Sequence, residues 1–231
     1  SNAVVVGRAA VGPAAGLALA RAGLRVAMVG PDAPGAGAGA AASPGGPPSA
    51  GFAASAPLSD LLWDNRVFAL SPSSRRLLES LGVWQALDSS RIAPVHEMRI
   101  WPAAAREGQR RGSGNSLHFS AWQAGVDALA WIIENRNLTR ALAQACRFAG
   151  FPVFASALRD LELSAEPGAA RLTLADGRPL RARLVVGADG AHSPVRRLAR
   201  IGGTLADYPQ RAIVANFDTE LPHRDCAYQW F

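Results

Sequence analysis

Short apolar runs separated by glycine turns dominate the first thirty or so residues. Residues 4–7 predict a buried strand, 11–22 an alanine-rich helix closed by Gly23, and 24–29 a second apolar strand. Ser1-Asn2-Ala3 is set outside the fold as an expression remnant. Residues 33–57 are rich in Ala, Gly, Pro and Ser without periodicity, a composition that predicts a mobile surface loop. Ser71 is placed to cap a helix reaching about Leu87, with Leu77, Leu78, Leu81 and Trp84 as its apolar stripe. Residues 95–101 and 117–119 alternate like strands around a polar, arginine-rich connection. A helix over 137–150 carries Leu138, Leu142, Ala145 and Ala149 on one face. Strands follow at 151–155, 159–165 and 171–175, then an Asp176-Gly177 hairpin turn and a strand over 179–186. Residues 210–219 and 227–231 predict strands of another sheet.

The opening strand, glycine turn, helix and strand make the βαβ pattern of nucleotide-binding units. Its turn runs Gly7-Arg8-Ala9-Ala10-Val11-Gly12, with Ala9 where the pattern has its middle glycine. A methyl group there crowds a diphosphate lying on the helix N-terminus. The second strand ends Val29-Gly30-Pro31-Asp32, so the acid that would hold an adenosine ribose is displaced to Asp32. A unit kept only for packing fits these residues as well. A second glycine segment is more specific. The apolar run Leu184-Val185-Val186 leads into Gly187-Ala188-Asp189-Gly190, and Ser193-Pro194 then opens a basic helix with an N-cap and a proline at its first position. Glycines let backbone approach a ligand, and Asp189 at a strand's carboxyl end can accept hydrogen bonds from ribose hydroxyls or hold a water over a diphosphate.

Composition narrows the classes. With 231 residues, 49% apolar and 18% charged, the chain is globular and long enough for one large or two modest domains. No apolar run reaches the roughly 18 residues of a membrane span, and Val4-Val5-Val6 is too short for a signal-peptide core. All 24 basic residues are arginine, giving a net charge of +6. These arginines are dispersed without interleaved aromatics, so no nucleic-acid role is expected. Anionic phosphates or a membrane surface remain open as partners. Cys146 and Cys226 form no framework, and the expected compartment is the cytoplasm. His96, His118, His192 and His223 show no ligand spacing, so no metal is expected.

Several separated segments resemble one family, the flavin-dependent aromatic hydroxylases, and within it the ubiquinone-biosynthesis branch. They are the βαβ opening, Asp64-x-Arg66-x-x-Ala69-Leu70-Ser71, Glu134-Asn135-Arg136-x-Leu138, Gly187-Ala188-Asp189-Gly190, and Tyr208-Pro209-Gln210 through Ala227-Tyr228-Gln229-Trp230-Phe231. The resemblance covers nearly the whole chain in the right order. His192 stands where the family usually has Asn. The resemblance implies FAD as cofactor, NAD(P)H as reductant, and O₂ with an aromatic or polyprenylphenol small molecule as substrates. In such enzymes the cofactor performs the oxygen chemistry while the protein positions it and excludes water, so no acid–base dyad is demanded and none is assigned. The residues implied at the cofactor are Gly7, Ala9, Gly12, Asp32, Arg66, Arg136, Asp189 and Gly190.

The expected fold is α/β: a Rossmann-like FAD-binding βαβ layer with an interleaved, incomplete antiparallel substrate sheet. The expected division assigns 4–94 and 122–204 to the FAD-binding domain, and 95–121 and 205–231 to substrate-domain strands. The family continues to a Gly-Asp segment and a helical region that have no counterpart before Phe231. The expectation is therefore an impaired flavin site, little hydroxylation by this chain alone, self-association, and a cytoplasmic protein with peripheral membrane contact. Two alternatives stay open. One is a non-catalytic module of the same fold serving interaction or assembly; the other is an NAD(P)-dependent dehydrogenase, which the βαβ unit alone supports.

Overall fold

The computed structural model describes residues 2–31, 63–102, 116–164, 170–204 and 208–231. The chain divides into two compact units that alternate along the sequence. The first comprises Ser1–Leu62, Leu78–Leu87 and Leu138–Ala212; the second comprises Trp63–Leu77, Asp88–Asn137 and Ile213–Phe231.

In the first unit, β1 (Ala3–Val6), α1 (Val11–Arg21) and β2 (Val26–Val29) form the βαβ unit, and β1 and β2 pair in parallel. β12 (Leu184–Gly187) pairs in parallel with the other side of β1, and β8 (Val153–Phe154) extends the sheet beyond β2. The three apolar runs at the chain start and at 184–187 thus lie in one sheet, as the expected FAD-binding layer requires. Every residue of β1 and β2 is buried, which is why both read as unbroken apolar runs rather than alternating ones. Ala3 belongs to the fold after all: it is fully buried, and the Asn2 and Ala3 amides donate to the Arg25 carbonyl.

A second, antiparallel sheet is built from β9 (Leu158–Leu163), β10 (Ala170–Leu174) and β11 (Pro179–Ala182) in the order β11-β10-β9. The hairpin turn falls at Asp176-Gly177, where the Arg178 amide donates to Asp176 Oδ1 and the Arg178 guanidinium holds the Asp176 carboxyl down to about 2. Leu158, Leu161, Leu172 and Leu174 from this sheet join Val4, Val6, Ala27 and Val29 of the parallel sheet in one core, closed by Val195. Residues 179–186 are not one strand. The Arg183 and Leu184 amides both donate to the Asn2 carbonyl, so the chain leaves one sheet at Ala182 and enters the other at Leu184.

The second unit holds β3 (Val67–Leu70), β7 (Ala130–Glu134) and β4 (Ile92–Val95), an antiparallel sheet in the order β3-β7-β4. It also holds β5 (Glu97–Trp101), β6 (Leu117–Ser120) and β13 (Cys226–Trp230), in the order β13-β5-β6. The predicted strand over 95–101 is split by His96, whose amide donates to Asp225 while its carbonyl accepts from Ala121. The last sheet is mixed rather than antiparallel, because β13 runs parallel to β5. That register stacks Trp230 on Trp101 at 5.0 Å, with Tyr228 6.1 Å from both rings. Residues 210–219 form no strand, because no ladder partner meets them among the described residues.

Two helices differ from their predicted lengths. α2 (Pro72–Ser80) stops well before Leu87, since Gly82 takes a φ of +70° and the Val83 amide returns to the Leu78 carbonyl, a glycine stop that closes the helix. Only a short 3-10 turn over Trp84–Ala86 follows. After the single-turn α3 (Ala121–Ala124), α4 (Asn135–Ala149) starts directly at the end of β7, two residues earlier than its apolar stripe suggests. Cys146 of α4 is buried with its Sγ 3.9 Å from the Pro13 carbonyl, and burial pushes its thiol up to about 11.

Two measurements follow from this packing. Leu172→Ala empties a fully buried position where the sheets of the first unit meet, and should lower unfolding free energy by about 2–5 kcal/mol in a denaturant titration. Cys146 should resist a disulfide-exchange reagent at pH 8 in the folded protein, so that no more than one thiol titrates before unfolding and two afterwards.

Candidate functional site

The βαβ turn is shaped by backbone contact. Gly7 takes a φ of +118°, and a Cβ there would fall on the Ala188 carbonyl and lie 2.9 Å from the Asp189 amide. A Cβ on Gly12 would fall on the Gly7 carbonyl, 3.7 Å from the Ala188 methyl. Both glycines are therefore required by the junction of β1, α1 and the segment after β12, whatever lies above it. The Ala188 amide donates to Val6 and the Gly7 amide to Val29, tying the three strand ends together. This brings Gly7, Gly12 and Asp189, distant in sequence, to one end of the parallel sheet.

Around that junction the α1 N-terminus is open. Its N-cap residue, Ala10, has no side chain that can accept a hydrogen bond, and its first turn carries no acid. Orphan amides at a helix start take a side-chain acceptor, water or an anionic ligand. Ala9, in the middle-glycine position, is exposed on the turn. At Gly30, where an acid is expected, the Arg8 stem lies so close that a Cβ would come within 3.1 Å of its Cγ. Asp32 lies outside the described residues.

Asp189 has a local task. Its Oδ1 accepts from Ser193 Oγ at 2.5 Å and its Oδ2 from the Val195 amide at 2.9 Å. Ser193 Oγ in turn accepts from the Arg196 amide, so Asp189 and Ser193 jointly cap α5 (Pro194–Leu198). Gly190, with a φ of +90°, turns the chain between the aspartate and that cap, its carbonyl accepting from the Ser193 amide.

In the second unit, one carboxylate joins the two arginine segments. Asp64 Oδ1 accepts from the Arg66 amide and Asp64 Oδ2 from the Arg136 amide, both at 3.0 Å. The Asn135 amide donates to the Arg66 carbonyl, continuing the β3–β7 ladder past its Val67↔Glu134 pair. Arg66 and Arg136 are thereby set side by side at one end of this sheet. The Arg66 guanidinium lies 5.4 Å over the Phe68 ring. Glu134, buried at the end of β7, faces Arg91 NH2 at 3.4 Å and Arg136 NH2 at 3.8 Å, and Arg91 stacks 4.1 Å over Trp63. Asn137 closes the region, accepting from the Asp88 amide and donating to the Asp88 carbonyl.

Sequence reasoning assigned no role to Asp64, Arg91, Glu134 or Asn137. Asp64 and Glu134 stand inside the quoted segments, and an acid two residues before each arginine was the available signal. Arg91 had none. Among the described residues no cluster of His, Cys, Asp and Glu could hold a metal ion, and no helix is long and apolar enough to cross a membrane.

Residues 61–230 match the family described as the FAD binding domain. The chain belongs to that family. It is 34% identical over 170 residues to ubiquinone hydroxylase UbiL of Rhodospirillum rubrum, covering 73% of this chain and 37% of that protein. It is 30% identical over 168 residues to 3-demethoxyubiquinol 3-hydroxylase of Escherichia coli, covering 73% of this chain and 41% of that one. The chain thus spans about two fifths of the length of these curated relatives. Among solved structures, Pseudomonas aeruginosa PqsL in complex with 2-aminobenzoylacetate shares the fold with a TM-score of 0.60 at 23% identity, over 90% of this chain and 48% of PqsL. The tetrameric form of 2-methyl-3-hydroxypyridine-5-carboxylic acid oxygenase gives 0.54 at 22% identity, over 85% of this chain and 41% of its own.

The observed capping predicts that Asp189→Ala, which removes both acceptors from α5, destabilises the first unit by about 0.5–2 kcal/mol even without any ligand. The check is a thermal or denaturant melt of ligand-free protein.

Proposed function

We propose that this chain carries FAD-binding elements of a monooxygenase that hydroxylates an aromatic ring of a ubiquinone precursor, with NAD(P)H as reductant and O₂ as co-substrate. The observation that carries the reading is the Asp64 clamp, which holds the backbones of two cationic residues, Arg66 and Arg136, together at one end of the sheet. A dinucleotide's diphosphate is the ligand chemistry that such a pair suits, as does the uncapped helix start beyond Gly7 and Gly12. When bound, FAD supplies the redox and oxygen chemistry.

The chain's own residues then have these tasks. The turn from Gly7 to Gly12 offers backbone amides to the diphosphate, with the Ala9 methyl on its exposed side. Arg66 and Arg136 donate to the diphosphate or the ribityl chain. Asp189 spends its carboxylate on α5, so it supports a cofactor mainly by fixing the Gly187–Gly190 backbone. Asp32 is the proposed ribose acceptor. Residues 4–94 and 122–204 are proposed as the FAD-binding part and 95–121 and 205–231 as substrate strands, which the shared sheet of β5, β6 and β13 supports. The net charge of +6 supports contact with an anionic membrane surface, and the exposed Ile213, Phe217 and Leu221 support self-association.

Reconstitution with FAD tests the proposal directly. The full-length protein should retain a flavin absorption spectrum after desalting, and Arg66→Ala should weaken retention by about 1.5–3 kcal/mol, the scale of a charge-assisted hydrogen bond. Protein that stays colourless at saturating FAD would favour the interaction-module reading instead. In the full-length protein, a polyprenylphenol should couple NAD(P)H oxidation to formation of hydroxylated product; oxidation without product would remove the assigned reaction.

A further inference from the structure

Residues 210–222 pair with no strand among the described residues, and their apolar side chains Ile213, Val214, Phe217 and Leu221 are exposed. Neither a ladder nor a core holds this segment. One side chain does. Asn216 Nδ2 donates to the Trp63 carbonyl at 3.1 Å and to Asn65 Oδ1 at 2.9 Å. A side-chain amide nitrogen carries two hydrogens, so a single group serves both acceptors. Among the described residues these are the only hydrogen bonds between 210–222 and another part of the chain. The two acceptors flank Asp64, whose carboxylate accepts from the Arg66 and Arg136 amides. Trp63 also carries the Arg91 guanidinium 4.1 Å over its ring. The segment that leads into β13 is therefore fastened at the root of the Asp64 clamp, and the two regions lie within one compact unit.

We propose that Asn216 is a positioning residue that links the cofactor side of the site to its substrate side: by holding the segment before β13 to both neighbours of Asp64, it makes binding of FAD and of the polyprenylphenol substrate favour each other. The inference rests on the reading of Arg66 and Arg136 as cofactor contacts and of 205–231 as substrate strands. Asn216 touches neither ligand in this scheme and acts through Trp63, Asn65 and Asp64. A substrate lying along these strands orders the segment, and an ordered segment fixes Trp63 and Asn65 on either side of Asp64. A cofactor held by the arginine segments fixes the same residues through the clamp. Each ligand then meets a partner already ordered by the other, and linkage makes the effect equal in both directions. Two neutral hydrogen bonds at an exposed position add little to global stability. A segment with no other hydrogen bond to the rest of the described chain nevertheless depends on them for its place.

The experiment measures the FAD dissociation constant of the full-length protein by flavin fluorescence, with and without a saturating short-chain polyprenylphenol. Substrate should tighten FAD binding about fivefold, at the lower end of coupling between sites. Asn216→Ala removes both donors, and the two dissociation constants should then be equal. A loss of structure alone would weaken FAD binding by the same factor in both conditions and keep their ratio, so a ratio unchanged from wild type overturns the proposal. Asn65→Ala removes one acceptor and should lower the ratio without abolishing it. Should Asn216→Ala not fold, Asn65→Ala takes its place, and a ratio equal to wild type then overturns the proposal. Wild-type protein that binds FAD equally with and without substrate also overturns it, while the flavin reading stands. Wild-type protein that binds no FAD removes the flavin reading itself, and the coupling with it.

Discussion

Strand β1 has neither an open edge nor an open face. β2 pairs with one side of it and β12 with the other, and its four residues are buried almost completely. Each pairing depends on a different kind of constraint. β2 arrives locally, through one short helix, as parallel strands require. β12 arrives from far along the chain, so its pairing is non-local and closes a long loop. The Asn2 carbonyl marks the seam, since it receives both amides where the chain changes sheets. The glycine turn, the Gly187–Gly190 segment and the open start of α1 share a location because of this one strand.

The second unit solves a similar problem with side chains. Two arginine segments separated by about seventy residues are joined by one carboxylate that accepts from both backbones. Each bond is charge-assisted, and each uses an amide at the end of a ladder, where backbone donors would otherwise need water. Behind this clamp, Glu134, Arg91 and Trp63 form a layer of charge and aromatic surface that the β7 ladder leads into. Burial of ionised groups is expensive, and protein interiors usually avoid it. Its presence at the end of β7, beside the Arg136 proposed as a cofactor contact, is the kind of local cost that binding sites carry.

Asp189, proposed as part of a cofactor motif, is in the fold a structural device. Read as sequence, an aspartate between two glycines at a strand end suits a nucleotide ribose. In the fold both of its oxygens serve the start of α5. The two uses are compatible because a carboxylate has more lone pairs than α5 consumes. The first claim on the residue is nevertheless the cap.

The sequence by itself determined the elements whose hydrophobic pattern is strong and local. The βαβ opening, the hairpin at Asp176-Gly177 and the family segments were all legible, because apolar runs, glycine positions and capping residues act over a few residues. The pairing of 4–7, 24–29 and 184–187 in one sheet follows the expected FAD-binding layer, although only the first two are buried throughout and the strand at 184–187 is partly exposed. Tertiary structure decided what depends on distant partners. Residues 179–186 and 95–101 look continuous but split between sheets, because Asn2 and Asp225 capture backbone amides that pattern alone assigns to one ladder. Residues 210–219 read as a strand yet pair with no strand among the described residues, and β13 runs parallel to β5 where its aromatics can stack. The partners of Asp64 and Glu134 were decided for the same reason, although an acid two residues before each arginine marks both segments. A charge's partners are set by which chain segments meet, and spacing along one chain does not encode that meeting.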